Sequence, residues 1–327
     1  MINVVYTVND AFIQQLATGI CSVCENNKCD KIKFYVISDG ITESNKQKLT
    51  NFVNEYNQYI EIIELGNIRD YLDFEFDIVG WSSIVLARLV ISKLLPATVK
   101  RVIYLDGDTM VRGSLRELWD TDMGDSIIGA SVEPTANFSR KIGLGIPADS
   151  PYYNAGVLLI DLDKWRNEHA ERRILSYYKE HEGKLFANDQ DAINGEMQHD
   201  IYSLSIVYNF CNSYRFYPYR TLVKIMKPCP FISKDEYKKC ISNPIIIHFL
   251  GEERPWRIGN KNPFTHEYFK YWNKTPWADM PLESGWEKYF VAFNLFNVVM
   301  KISPYIRYKI IDACVPWVLR QRSKKKK

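Results

Sequence analysis

Asp106-Gly107-Asp108 sets two carboxylates two positions apart, directly after the apolar run Val102-Ile103-Tyr104-Leu105 and directly before a turn. In an extended segment residues i and i+2 point the same way, so this pair can grip one hard cation between them. Such an ion stabilises an anionic leaving group, a diphosphate above all. The glycine leaves room for close approach of a ligand, and the apolar run behind it anchors the acids on rigid scaffold.

Two further segments carry ligand chemistry at the margin of hydrophobic runs: Tyr153-Asn154-Ala155-Gly156-Val157-Leu158, and His248-Phe249-Leu250-Gly251 after Ile245-Ile246-Ile247. An imidazole added to two carboxylates makes a donor set suited to Mn²⁺-like ions. Cys21-Ser22-Val23-Cys24 has metal-knuckle spacing with Cys29 nearby, but no second CxxC or histidine pair completes a zinc set, so a core helix is the expectation.

The elements that must position these groups read as alternating strands and helices, the pattern of a mostly parallel sheet covered on both faces. Strands are expected at residues 2–8, 33–38, 60–65, 102–105, 126–132, 155–162 and 245–249. Helices are expected from Ala11, over 42–56, and from Asp163 or Trp165. Another is expected after a cap at Ser82 or Ser83, burying Ile84, Ala87, Ile91, Leu94 and Leu95 before Pro96. Residues 200–240 give no clear pattern. Ligands of open parallel sheets bind at the carboxyl ends of strands, and the acidic pair sits at such an end.

Five ordered blocks, Thr7-Val8-Asn9-Asp10-Ala11-Phe12, Asp106-Gly107-Asp108, Asn154-Ala155-Gly156, Asp189-Gln190-Asp191 and the run from His248 through Gly251 and Arg254 to Trp256, together resemble glycosyltransferase family 8. The resemblance spans residues 1–257 and extends to bacterial lipooligosaccharide galactosyl- and glucosyltransferases and, more distantly, glycogenin. It implies an α/β fold of GT-A type: a Rossmann-like mixed, mostly parallel sheet flanked by helices. It also implies a retaining, metal-dependent hexosyltransferase. By resemblance, Asp106, Asp108 and His248 hold Mn²⁺, with Mg²⁺ the alternative, on the diphosphate of a UDP-sugar. Gly251 and Arg254 close on the phosphates, Thr7, Asn9 and Phe12 hold uridine, and Arg88, Asn154, Asp189 and Gln190 surround the donor sugar. Ala11 lacks a polar group that some bacterial relatives carry, and Arg254 stands where many carry lysine. Gln190 lies closest to the reacting carbon. Because an amide is a poor nucleophile, front-face displacement is the expected course, with Asp189 or Asp191 the fallback for a covalent step.

The 327 residues are 46% hydrophobic, 14% aromatic and 25% charged, an ordinary globular composition with aromatics to spare for sugars. Seven cysteines, an odd number in a chain large enough to need no staples, point to a reducing compartment. The net charge of +3 hides an asymmetry: residues 286–327 hold seven Lys and three Arg against Glu287 and Asp312, leaving about −5 for the rest. That tells against a nucleic-acid groove on the main body. We expect a catalytic domain over 1–280. A basic, aromatic tail over 281–327, ending in lysines 324–327, is expected to contact an anionic membrane surface, with Pro304 and Pro316 breaking its helix.

Residues 2–8 lead into a polar turn instead of a cleavage site, so the expected location is cytoplasmic, peripheral at the inner face of the membrane. Asn137-Phe138-Ser139 and Asn273-Lys274-Thr275 match an acceptor motif for glycosylation that chance suffices to explain. The expected reaction is transfer of galactose or glucose from UDP-galactose or UDP-glucose to a saccharide or glycolipid acceptor in cell-surface glycan synthesis. Two alternatives remain: a catalytically silent UDP-sugar or glycan-binding module, and a Mg²⁺-dependent DxD phosphatase. The phosphatase motif wants threonine where this chain has Met110.

Overall fold

The computed structural model describes residues 1–78 and 82–325, with side-chain environments as far as Val318. Strands β1 (Ile2–Asn9), β2 (Ile32–Asp39), β3 (Tyr59–Glu64), β4 (Arg101–Leu105), β6 (Ile128–Val132), β7 (Tyr153–Asp161) and β8 (Ile201–Leu204) form one sheet in the order β3-β2-β1-β4-β7-β6-β8. β1 pairs in parallel with β2 and β4, β2 with β3 and β6 with β8, while β7 runs antiparallel between β4 and β6. Val102, Ile103, Tyr104 and Leu105 are all fully buried, as continuous apolar strands are when helices cover both faces. Each such aliphatic side chain contributes about 1.5–3 kcal/mol relative to exposure.

Helix Ile13–Asn26 follows β1 and buries Leu16, Ala17, Ile20, Cys21, Val23 and Cys24. The cysteine pair is therefore core, and burial pushes the Cys21 thiol up to about 11. Thr42 caps helix Glu43–Glu55 by accepting the Asn45 backbone N–H. The strand order reverses between β1 and β4. Their carboxyl ends flank that switch point, where open α/β sheets form a ligand crevice.

The helix foreseen after Ser82 is a 3₁₀ helix over Ser83–Val90 followed by a single α turn, Ile91–Leu94, and the Ser82 side chain makes no cap bond. Buried from Leu86 to Val90, the segment has no solvent face to impose a 3.6-residue period. The late strand, β9 (Ile246–His248), lies outside the main sheet; it pairs antiparallel with β5 (Thr109–Val111), where the sequence pattern predicts a turn. Residues 200–240 hold β8 and the helices Asn212–Phe216, Tyr219–Ile225 and Lys234–Ser242.

In the tail, Pro304 opens helix Pro304–Lys325 but Pro316 lies inside it. Proline at a first helical position removes no bond, which explains the start. Lysines 324–327 fall outside the described side chains. The preceding helix, Glu287–Met300, buries Phe290 and leaves Val291, Leu295 and Val298 exposed. No described helix is long and apolar enough to cross a membrane.

Candidate active site

β5 begins at Thr109, immediately after the acidic pair, and its register sets Thr109 opposite His248 on β9. That pairing closes a separation of 139 positions and brings the imidazole to the acids. His248 Nε2 lies 3.2 Å from Asp108 Oδ1 and 3.7 Å from Asp106 Oδ2. Ligand atoms of the three residues all lie within 4.8 Å of one another, the only such three-residue group among the described residues.

The acids do not converge by strand alternation. Asp106 follows the end of β4, and the Thr109 backbone N–H donates to the Asp106 carbonyl at 3.1 Å, so a tight turn swings the carboxylates together. Nor does Gly107 chiefly open the way for a ligand. A Cβ there would meet Phe12 Cδ1 at 3.0 Å and Val8 Cγ1 at 3.1 Å, so its bareness seats Phe12 against the turn.

Gly156 has a similar role on the other side. A Cβ built on it would lie 2.2 Å from His248 Cε1 and 2.7 Å from Asp106 Oδ2, so only glycine leaves space for that ring and carboxylate. Its carbonyl accepts the Asp106 N–H at 2.8 Å.

Arg88, buried in the 3₁₀ segment, ties the site together: Nη2 donates to Asp106 at 2.7 Å, Nε bridges Asp189 at 2.8 Å and Nη1 donates to the Ala155 carbonyl. Its guanidinium lies 4.5 Å above the Tyr104 ring. The Tyr104 hydroxyl donates to Asp106 at 3.0 Å and contacts the Thr7 hydroxyl at 2.7 Å. Thr7 is thus a support for Tyr104, while Asn9 and Phe12 lie half-buried at the end of β1.

Arg254 donates to Asp108 at 2.9 Å and spans the edge-on pair of Phe12 and Trp256, whose rings are 5.8 Å apart. Its Nε is buried without a partner, a donor left over for an anion. Gly251, at φ +94°, takes the left-handed turn that leads the chain from His248 back to Arg254.

Burial alone would raise the Asp108 carboxyl, but the His248 and Arg254 charges hold it down at about 2. Asp189 goes the other way: burial, with Asp106 adding, lifts its carboxyl to about 6 against the pull of Arg88.

Gln190 is fixed at both ends, Oε1 accepting from the Ala155 N–H at 3.0 Å and Nε2 donating to the Tyr152 hydroxyl at 3.1 Å. Asp191 is fully engaged. It accepts from Arg140, from Tyr152 at 2.6 Å and from the Ala187 N–H at 2.7 Å, and is 1% exposed. Asn154 accepts from the Gly156 N–H at 2.9 Å.

Sequence reasoning missed Tyr104, Tyr152, Arg140 and Asn209. Tyr104 and Tyr152 were within reach, being two residues before Asp106 and next to the Tyr153-Asn154 block; Arg140 and Asn209 carry no such signal.

Two carboxylates and an imidazole, folded around bare Cα atoms, fit a hard or borderline divalent cation. A mixed, mostly parallel sheet with that set at its switch point, beside an arginine with a spare donor, can hold a divalent cation and an anionic ligand together. The comparisons agree: the Glycosyl transferase family 8 model matches residues 3–258, and the chain belongs to that family.

General stress protein A of Bacillus subtilis (strain 168) is 28% identical over 285 residues, covering 85% of this chain and 95% of its own. A lipopolysaccharide 1,3-galactosyltransferase of Salmonella typhimurium (strain LT2) is 23% identical over 325 residues, covering 94% and 90%. Among solved structures, the galactosyltransferase LgtC in complex with donor and acceptor sugar analogs superimposes with a TM-score of 0.73 at 25% identity, over 84% of this chain and 96% of that one. The expected GT-A-type sheet is the fold observed.

Proposed function

We propose that this family 8 glycosyltransferase moves galactose or glucose from UDP-galactose or UDP-glucose to a saccharide, with retention of anomeric configuration, in cell-surface glycan synthesis. The observation that carries the reading is the meeting of Asp106, Asp108 and His248 within 4.8 Å, beside the Asp108-bound Arg254. Asp106, Asp108 and His248 would hold a divalent cation, Mn²⁺ by their mixed oxygen and nitrogen donors, and that ion would supply Lewis-acid stabilisation of a departing UDP. Arg254 and the Gly251 turn bind the phosphates, where a fixed guanidinium favours the charge that grows as the sugar bond breaks. Asn9 and Phe12 hold the uridine edge, with Thr7 bracing Tyr104 behind them.

Arg88, Asn154, Asp189 and Gln190 orient the donor sugar. Front-face displacement fits the side chains available. Asp191 has its oxygens taken by Arg140, Tyr152 and a backbone N–H, and Gln190 is an amide, so the leaving phosphate itself receives the acceptor proton. Asp189, paired with Arg88, stands as the carboxylate of a covalent alternative.

Residues 1–280 form the catalytic domain and 281–327 the tail that lies on an anionic membrane, bringing the enzyme to a glycolipid acceptor from the cytoplasmic side. Exposed Val291, Leu295 and Ile302 beside Lys288, Lys301 and Lys309 support that role.

Labelled UDP-glucose and UDP-galactose, incubated with Mn²⁺ and lipid-linked or free saccharides, test the reading. Transfer that stops in EDTA and yields the donor's anomer is the expected result. Turnover unaffected by EDTA removes the metal role, an inverted product removes the front-face course, and binding without turnover leaves a sugar-nucleotide-binding module.

A further inference from the structure

A histidine can present Nε2 to a cation only if its remaining hydrogen sits on Nδ1, and something must hold it there. His248 Nδ1 lies 3.0 Å from Asn209 Oδ1, and both residues are buried. An amide side chain looks alike in either orientation, so its direction must be read from partners that have no choice.

One such partner is the Gly156 backbone N–H, which can only donate. It meets Asn154 at 2.9 Å, making that atom the carbonyl oxygen. The Asn154 amide nitrogen then faces the Glu133 carboxylate at 3.2 Å, acceptor to donor, as it should. Asn209 reaches the same Asn154 oxygen at 2.8 Å and must offer its Nδ2 there, which turns its own oxygen to His248. Reversing Asn154 would set its amide nitrogen against the Gly156 N–H, and reversing Asn209 would set its oxygen against the Asn154 oxygen. The backbone holds both ends in place, since Phe210 bridges Ile247 in parallel and the His248 N–H donates to the Phe210 carbonyl at 2.9 Å.

We propose that Asn209 is a positioning residue for the metal reading above: through the chain Glu133–Asn154–Asn209 it locks His248 with hydrogen on Nδ1 and the Nε2 lone pair toward Asp106 and Asp108. It touches neither metal nor substrate. Its effect is on which nitrogen the cation meets.

The test uses the full chain, Mn²⁺ and UDP, with two readouts: Mn²⁺ affinity from the free-ion electron paramagnetic resonance signal, and spin-echo modulation from an imidazole nitrogen bound to manganese. Asn209→Leu, close in volume but without an acceptor, is expected to weaken Mn²⁺ about 10–100-fold and to lose the nitrogen modulation. Asn209→Asp gives up the donor to the Asn154 oxygen but keeps an acceptor opposite Nδ1, and is expected to bind Mn²⁺ more weakly while retaining the modulation. It carries the test alone should the leucine variant fail to fold. Wild-type modulation in Asn209→Leu, or its loss in a folded Asn209→Asp, overturns the assignment to Asn209. Absence of Mn²⁺ binding or of nitrogen modulation in the wild type overturns the metal reading itself.

Discussion

Gly156→Ala puts one methyl group where the site has no space. The new carbon would lie 2.2 Å from His248 Cε1 and 2.7 Å from Asp106 Oδ2, whereas carbon atoms settle at about 3.5–4.0 Å. The ring must therefore retreat by more than about 1 Å. It has little freedom to do so, being held by Asn209 at Nδ1 and flanked by Asp108 at Nε2. Overpacking of this kind costs about 1–3 kcal/mol, a fall in Tm of about 2–12 °C at about 2–4 °C per kcal/mol. The functional loss is larger than the stability loss, because a displacement of about 1 Å at a reacting site costs about 100-fold in rate. Calorimetry, Mn²⁺ titration and transfer from labelled UDP-sugar measure the three effects separately. Gly143→Ala, whose Cβ meets nothing within 4 Å, is the control and should match wild type in all three. A Gly156→Ala enzyme with unchanged Mn²⁺ affinity and turnover would refute the packing argument and, with it, the central place of His248.

Asp189 binds more protons folded than unfolded, because its carboxyl is raised from 3.8 to about 6 by burial. Its contribution to stability therefore falls as pH rises from about 4 to about 6 and is flat above, a total of about 3 kcal/mol. Urea unfolding without metal should show Asp189→Asn gaining on wild type across that window; a constant difference would contradict the assignment. Arg140→Ala leaves the Asp191 carboxylate buried without its cation and should cost about 3–5 kcal/mol in the same assay, whereas Lys238→Ala, in an exposed pair with Asp235, should change little. In the tail, Val291→Asp with Leu295→Asp should abolish sedimentation with anionic vesicles while sparing transfer to a soluble saccharide. Vesicle binding that survives both changes would argue against the membrane role.

The acidic pair, the Asn154-Ala155-Gly156 block and the His248 run were legible because each is a short polar cluster at the edge of an apolar run, a pattern that survives without neighbours. The carboxyl-end location followed from the same runs, since continuous apolar strands demand cover on both faces. Asn209 was not legible: a single asparagine after Val207 and Tyr208, in a stretch of short irregular elements, has no periodicity to mark it. The 3₁₀ winding of Ser83–Val90 escaped for a related reason, as its apolar spacing allows an α-helix equally well and burial on most sides, not spacing, decided the outcome.

By itself the order of residues determined which segments are apolar enough to become strands, where their polar ends fall, and that the last 42 residues carry a local charge of +8. It did not determine which distant ends meet. The pairing of Thr109 with His248, the turn that swings Asp106 toward Asp108, and the run of amides behind the imidazole exist only once the chain has closed on itself. Local patterns set what each segment buries, whereas metal chemistry depends on distances of a few ångströms between groups 140 positions apart, and packing alone fixes those.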